Sequence, residues 1–150
     1  MGMNSNFEAA VYPSKLYDKT VTITSAEILA LNTTPKVLIS APGAGYAISI
    51  ENVFSSLDYG SAAYATNTDL EIRYDGAAAG DGTGAEATMD SLDAILLLTA
   101  DAIYKTPGLG AAADTAITIN KGVSAIMKTG DPITGDSPLT LRITYRIIAL

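Results

Sequence analysis

Residues 139–147, close to the end of the chain, alternate strictly between apolar and polar side chains. A period of two places one face of an extended strand in a core and the other face in water. Pro138 precedes the segment and cannot donate to a ladder, which suits the first residue of a strand. The pattern therefore predicts a long closing strand in an antiparallel sheet. The apolar positions are Leu139, Leu141, Ile143, Tyr145 and Ile147, and the polar positions are Thr140, Arg142, Thr144 and Arg146.

Seven further segments have strand character and are separated by turn residues. Residues 95–98 fit either a buried strand or, with Ser91 as a cap, a short helix, and the all-β surroundings favour the strand. The apolar register shifts between Ile50 and Val53, which predicts a β-bulge or bend. About eight short strands at this spacing are typical of sandwiches and barrels. The seven segments are residues 20–24, 36–41, 46–57, 69–75, 95–98, 116–120 and 123–128.

Only one helical element is expected. Thr24-Ser25-Ala26-Glu27 has the capping-box pattern and precedes an apolar run. The pattern predicts one short helical turn near residues 25–31, ended by Asn32 and Pro35. No alternation of strands with long helices is present, so a parallel α/β sheet is not expected.

Residues 1–18 are interpreted as an extended N-terminal arm, and residues 19–150 as one β-sandwich domain. Pro13 prevents a continuous helix in this segment. Five large apolar side chains in an otherwise polar arm indicate that it docks, either on its own domain or on a partner. These candidate contact residues are Phe7, Val11, Tyr12, Leu16 and Tyr17.

The composition of the chain argues against most kinds of catalytic, metal and nucleic-acid-binding site. The chain has no cysteine and no histidine, so thiolate catalysis is excluded and both the usual general base and the commonest metal ligand are missing. The net charge of -7 disfavours binding to a phosphate backbone. No segment approaches the roughly 18 apolar residues of a membrane span. We therefore expect no enzyme activity, no cofactor, no nucleic-acid partner and no membrane partner.

Three glycine-rich segments invite a phosphate-binding interpretation. Residues 41–46 lack the Lys-Ser/Thr pair of a P-loop, and residues 108–113 match a loosened dinucleotide pattern but precede a predicted strand rather than a helix. Residues 80–84 are most simply a flexible loop. Turns and loops are therefore predicted at all three places, with long loops over residues 76–87 and 106–114.

Acidic residues near turns could hold a hard cation. Asp75 with Asp81, or Asp131 with Asp136, could supply oxygens, but neither pair has the spacing of a dedicated calcium loop. Aspartate next to glycine is common turn chemistry, which is the favoured interpretation.

Carboxylate-pair catalysis would need convergence of acidic residues in a cleft. A glycosidase also uses aromatic platforms for sugar, whereas this chain has no tryptophan and only 7% aromatic residues. Solvation on a polar strand face is the simpler expectation. The acidic residues concerned are Asp69, Glu71, Asp90 and Asp93.

Three segments share a pattern with a known kind of protein. They are residues 21–53 (VTITSAEILALNTTPKVLISAPGAGYAISIENV), residues 69–76 (DLEIRYDG) and residues 119–148 (INKGVSAIMKTGDPITGDSPLTLRITYRII). Together they resemble small virion proteins of tailed bacteriophages, notably head decoration or cement proteins. The resemblance covers about two-thirds of the chain and implies an all-β fold, a single antiparallel β-sandwich that is jelly-roll-like. Another Greek-key arrangement of the strands stays open.

The resemblance also implies a function. Such proteins assemble, usually as homotrimers, on the outer surface of a capsid, where they contact the major capsid protein and stabilise the shell. The expected location is the virion, after assembly in the host cytoplasm. Two alternatives stay open. One is a receptor- or glycan-binding fibre or tail module with loops 76–87 and 106–115 as its rim, and the other is a tail-tube or baseplate component.

Overall fold

The computed structural model describes residues 15–74, 83–84, 90–107 and 118–150. These residues contain eight strands and two short helices. In chain order they are β1 (Leu16–Ile23), α1 (Ser25–Ile28), β2 (Lys36–Ile39), β3 (Tyr46–Leu57), β4 (Leu70–Tyr74), β5 (Thr83–Gly84), α2 (Asp90–Leu96), β6 (Ala102–Pro107), β7 (Val123–Met127) and β8 (Leu139–Ala149).

The strands form two antiparallel sheets with the orders β1-β8-β3-β6 and β2-β7-β4-β5. The neighbours in these sheets include β1 with β8, β2 with β7, β3 with β6 and β4 with β5, so the chain is folded back on itself about its middle. This order is that of the eight-stranded jelly roll, which consists of two Greek keys. The predicted all-β, jelly-roll-like sandwich is therefore confirmed, and the strand order decides between the Greek-key arrangements.

Strand β8 lies at the centre of the first sheet, paired with β1 on one side and β3 on the other. Leu139, Leu141 and Ile143 are buried, while Arg142 is exposed on the opposite face. Burying each such aliphatic side chain stabilises the fold by about 1.5–3 kcal/mol relative to exposure. The alternation predicted for the closing strand is thus confirmed from Leu139 to Ile143.

The predicted bulge is also present. The pairing register between β3 and β8 shifts between Ile50 and Asn52. The extra residue changes the phase of the strand, so that Ile50 and Val53 are both buried although they are three positions apart. After the shift, Phe54 lies on the face of the sheet that points away from the core.

Helix α1 confirms the predicted capping box. The Thr24 hydroxyl accepts a hydrogen bond from the Glu27 backbone N–H at 3.3 Å, and Glu27 Oε2 accepts one from the Thr24 N–H at 2.9 Å. Lys36 pairs with Glu27, and this hydrogen bond, followed by the one from Thr24, lowers the pKa of the Glu27 carboxyl. Ile28 is buried, so one apolar side chain anchors the turn in the core.

The strand predicted over residues 95–98 is wrong, because this segment belongs to α2 and the turn that follows it. Leu92, Ile95 and Leu96 have the i, i+3, i+4 spacing of a helix face, and all three are buried in the common core. Leu97, on the other side, is exposed. The short apolar run fitted both periods, and packing between the two sheets selected the helix.

Strand β5 lies, and strand β6 ends, where loops were predicted. Strand β6 begins after α2 and extends into the predicted loop over residues 106–114, and the two-residue β5 lies within the predicted loop over residues 76–87. The rest of these two loops lies outside the described residues. Of the predicted strand over residues 116–120, only residues 118–120 are described, and Ile119 forms an isolated bridge with Ala47.

Strand β1 begins within the segment interpreted as an arm. Leu16, Tyr17 and Asp18 pair with Arg146, Tyr145 and Thr144 of β8. Residues 1–14 lie outside the described residues. No helix in the described ranges is long and apolar enough to cross a membrane.

Gly135 fills a position at which any side chain would collide with the core. Its φ is +119°, and a Cβ atom would lie 2.2 Å from the Tyr64 ring, whose hydroxyl donates to Ser137 O at 2.5 Å.

We expect Gly135→Ala to lower the free energy of unfolding, measured in urea, by about 2–5 kcal/mol through backbone strain and overpacking. Gly43 has a φ of +107° with nothing near its Cβ position. Gly43→Ala therefore isolates the backbone strain and should cost only about 1–3 kcal/mol; equal costs for the two variants would contradict the packing role of Gly135.

Candidate interaction surface

The outer face of the first sheet is exposed in the described part of the chain. We define this outer face as the side chains of β1, β8, β3 and β6 that point away from the core. The pairing registers place them in rows that cross the strands. The central row is Thr20, Arg142, Phe54 and Lys105, and the next row is Thr22, Thr140, Ser56 and Ile103.

An aromatic ring flanked by two cations forms the centre of this face. Phe54 is 38% exposed, and it lies between Arg142 on β8 and Lys105 on β6. The Lys105 ammonium is 5.8 Å from the centre of the Phe54 ring, within the range of a cation–π contact. The Arg142 side chain is 61% exposed. Aromatic and arginine side chains are the types enriched at protein interfaces.

Acidic side chains hold the two arginines of β8 in place. Asp18 pairs with Arg142 at 3.4 Å and accepts a hydrogen bond from the Thr144 hydroxyl at 2.7 Å. The Thr144 hydrogen bond, with a smaller contribution from the Arg142 charge, lowers the pKa of Asp18 although partial desolvation opposes it. Arg146 pairs with Glu51 at 3.2 Å. Solvent screens such exposed pairs, so they orient the side chains more than they stabilise the fold.

The charge of the outer face differs from that of the rest of the chain. The face carries three cations (Lys105, Arg142 and Arg146) and two carboxylates (Asp18 and Glu51). The whole chain has nine Lys and Arg against sixteen Asp and Glu, which leaves six cations and fourteen carboxylates elsewhere. The outer face is therefore the less acidic side of an acidic protein, and it suits an acidic partner surface.

Apolar side chains are exposed at both edges of the same sheet. Leu16 on β1 is 51% exposed and Ile103 on β6 is 75% exposed. An open depression of about 580 Å³ adjoins Ile103 and includes the carboxylates of Asp58 and Asp101. Asp101 Oδ1 accepts a hydrogen bond from Tyr59 N at 2.8 Å, which fixes the start of β6 against the end of β3.

The five candidate contact residues of the arm lie in different parts of the chain's structure, and only Leu16 and Tyr17 belong to the described residues. Leu16 lies on the outer face, opposite Arg146. Tyr17 points the other way and stacks on Tyr145 with ring centres 5.4 Å apart, so it packs on its own domain. Phe7, Val11 and Tyr12 lie outside the described residues. The sequence analysis did not identify Phe54, Ile103, Lys105 or Arg142 as candidate contact residues. The signal available in the sequence was Phe54, a large aromatic side chain on the solvent-facing side of a predicted strand.

The Asp131 and Asp136 pair considered as a cation site instead ties loops together. Asp136 accepts hydrogen bonds from Ser61 N at 2.9 Å, Ser61 Oγ at 2.6 Å and Ala62 N at 2.9 Å. These bonds, led by the Ser61 hydroxyl, lower the pKa of Asp136 to about 2. The carboxylate thus joins the loop between β7 and β8 to the loop between β3 and β4.

Asp131, in the same loop between β7 and β8, binds a different loop through its carboxylate. Its carboxylate accepts hydrogen bonds from Asn32 N at 2.7 Å, from Thr33 N at 3.3 Å and from the Thr33 hydroxyl. Burial raises the pKa of Asp131, but the hydrogen bonds from Thr33 and Asn32 outweigh it and lower the pKa overall. Because each aspartate binds a different loop, turn chemistry accounts for both.

Among the other acidic candidates, the structure describes the side chains of Asp69 and Glu71. Glu71 pairs with Arg73 and, at 3.3 Å, with Lys128, and Asp69 accepts a hydrogen bond from Thr129 at 3.0 Å. No group of three or more metal-ligating side chains occurs among residues 15–74, 83–84, 90–107 and 118–150. Asp75, Asp81 and the side chains of Asp90 and Asp93 lie outside what the structure describes.

The first glycine-rich segment forms the turn that was predicted. Gly43 and Gly45 both have positive φ, and the Gly43 N–H donates to Asn120 Oδ1 at 3.0 Å. A strand, β3, follows this turn, so no helix N-terminus is available there for a phosphate. The glycine-rich residues 108–113 lie outside the described residues, as do residues 80–82 of the third segment.

Comparison with known proteins identifies no family. No protein-family model matches the chain, and no curated protein matches it. Among solved structures, a chain of the cyanophage Pam1 capsid asymmetric unit is similar, with 15% sequence identity and a TM-score of 0.41, over 88% of this chain and 83% of that chain. Similarity at this level does not establish a shared function.

The hydrogen bonds that Asp136 accepts from Ser61 and Ala62 make the stability of the fold depend on pH in a defined acidic range. Its folded pKa of about 2 lies below the ordinary value of 3.8, so its stabilising effect is complete above pH 3.8 and is lost as the pH falls towards 2. We expect Asp136→Asn to lower the Tm at neutral pH, and the two Tm values to converge across that acidic range. Asp58→Asn, at another exposed carboxylate, is the control and should show no such convergence. A difference between wild type and Asp136→Asn that is constant with pH would contradict the role of the charge.

Proposed function

We propose that this chain is a structural virion protein that binds the outer surface of a phage capsid as an oligomer and stabilises the shell. Its role is binding, without catalysis or a cofactor. The major capsid protein is the proposed partner, and the outer surface of the virion is the proposed location. Assembly would take place in the host cytoplasm.

The strand order supports this proposal at the level of architecture. Double-sheet jelly rolls are used by viral capsid domains and by lectins. Fold alone does not distinguish these uses, because one fold serves many functions. The distinction has to come from the surface.

The observation that carries the proposal is the exposed row of Arg142, Phe54 and Lys105 across a four-stranded sheet. Sugar sites are concave, whereas this row crosses the middle of an open face. An exposed sheet face with an aromatic centre and flanking cations fits a second protein surface better. Several weak contacts of this kind become strong when an oligomer presents them together.

We expect Phe54→Ala to weaken capsid binding about tenfold or more, because central aromatic residues contribute most of the energy of interfaces. Binding is measured by co-sedimentation of the purified protein with capsids of its phage. Ile133→Ala is the matched control, because Ile133 is exposed but lies in the loop between β7 and β8. Equal losses of binding in both variants would contradict the assignment of the outer face.

The proposed role of the arm is tested by removing residues 1–14, which leaves β1 intact because that strand begins at Leu16. We expect the truncated chain to keep its Tm but to lose capsid binding or oligomerisation. The readouts are co-sedimentation and sedimentation velocity. Unchanged behaviour in both would show that Phe7, Val11 and Tyr12 are not contact residues.

The glycan-binding alternative is separated by a third measurement. A glycan array probed with the intact protein should show no reproducible binding if the proposed function is right. Binding that is abolished by substitutions in loops 76–87 or 106–115 would favour the receptor-binding module instead.

A further inference from the structure

We propose that β6 is a self-docking edge, through which two copies of this chain pair as antiparallel strands about Ile103. The pairing concerns the chain alone and needs no capsid. It assigns a function to the exposed backbone edge of β6, a strand whose outward side chain Lys105 also belongs to the capsid-binding face.

Strand β6 lies at the edge of the first sheet. Among the described strands it has one neighbour, β3. Ala102 and Tyr104 point inwards and pack against the core, while Ile103 and Lys105 point outwards and are exposed. An edge strand presents backbone N–H and C=O groups that can pair with a strand of another chain.

The sequence of this edge is complementary to itself when reversed. In an antiparallel pair centred on Ile103, that residue lies opposite its own copy, and Lys105 of each chain lies opposite Asp101 of the other. Directly opposite side chains are on the same face with Cβ atoms about 4.5–5.5 Å apart, close enough for ion pairs. A two-fold contact of this kind repeats the same Asp101–Lys105 pair twice.

Both charged groups can accept a new partner. Lys105 contacts the Phe54 ring, and it forms no ion pair with a carboxylate of the described residues. Asp101 uses Oδ1 to accept the Tyr59 N–H, which leaves Oδ2 for a cation. Its position is therefore fixed before a second copy arrives.

The charges also select the register of the pairing. Centring the pair two residues away, on Lys105 or Asp101, would place like charges opposite each other. The intermediate registers would leave Lys105 or Asp101 opposite Ile103. Lysine on an edge strand normally discourages pairing with other chains, and Asp101 removes that obstacle only for a second copy of this strand.

A contact of this size is weak between two isolated molecules. Five residues from each chain bury less than the roughly 1,200–2,000 Å² of a stable interface. It becomes effective when copies are held close together, as in an oligomer or on a surface. The two-fold pair can join two single copies or one copy from each of two trimers, so it is compatible with the homotrimer that the resemblance implies.

Disulfide trapping detects a weak contact of this kind directly. The chain has no cysteine, so Ile103→Cys introduces a single thiol at the proposed two-fold centre. Ile133→Cys is the matched control, because Ile133 is 72% exposed against 75% for Ile103. Under mild oxidation we expect Ile103→Cys to form covalent dimers about tenfold faster or more, since opposed Cβ atoms suit a disulfide. Equal rates would overturn the proposal.

Charge reversal tests the register. In the Ile103→Cys background, Lys105→Glu alone and Asp101→Lys alone should each return dimer formation to the control rate, because each variant then repels its own copy. A mixture of these two variants pairs Lys with Glu and Asp with Lys, so cross-linking should return as a heterodimer. A double variant carrying both reversals should dimerise by itself. Cross-linking that ignores these charges would overturn the proposed register.

Asp101→Lys also removes the hydrogen bond to Tyr59 N, so Asp101→Asn is added as a variant that keeps an acceptor oxygen without the charge. We expect Asp101→Asn to keep the Tm near that of the parent while slowing cross-linking. Rapid cross-linking in this variant would count against the ion pair. Because the assay contains no capsid, its failure leaves the proposed capsid function untouched, and failed capsid binding would leave the edge pairing standing.

Discussion

The pairing of β8 between β1 and β3 is the interaction on which the rest of the structure depends. It joins the first and last described strands, and it closes the jelly roll by bringing residues separated by more than a hundred positions into one sheet. Its inner side chains, Leu139, Leu141 and Ile143, fill the core. Its outer side chains build the exposed face. One strand therefore couples the stability of the sandwich to the surface proposed to bind a partner.

The outer face and the β6 edge are two different surfaces with different roles. The face presents Phe54 between cations, which suits an acidic protein surface. The edge presents Asp101, Ile103 and Lys105, which suit a second copy of the same strand. Lys105 belongs to both, because its side chain lies on the face and its backbone lies at the edge. Binding of a partner and self-association can thus meet at one residue.

Hydrogen bonds between loops account for the acidic turns at one end of the sandwich. The loop between β7 and β8 supplies Asp131 and Asp136, and backbone N–H groups of two other loops satisfy these carboxylates. The same loop contains Gly135, whose missing side chain lets the Tyr64 ring pack closely. Hydrogen bonds and close packing together hold three loops in one arrangement.

Local patterns determined the parts of the protein that depend on nearest neighbours. The period of β8, the bulge after Ile50 and the capping box at Thr24 could all be predicted, because each is a property of a few consecutive residues. Residues 95–98 could not, since a short apolar run fits both a strand and a helix until something packs against it. Leu16 and Tyr17 were interpreted as part of the arm, but they belong to β1 because they pair with β8, which is distant in sequence.

The candidate surface was decided only by tertiary structure. Arg142, Phe54 and Lys105 are far apart in sequence, and the registers of three strands place them in one row. Composition determined that the protein lacks cysteine and histidine chemistry and is acidic overall. Long-range strand pairing, which no local pattern encodes, determines which face of the protein is less acidic than the rest. It also places β6 at an edge of its sheet, with one neighbour among the described strands.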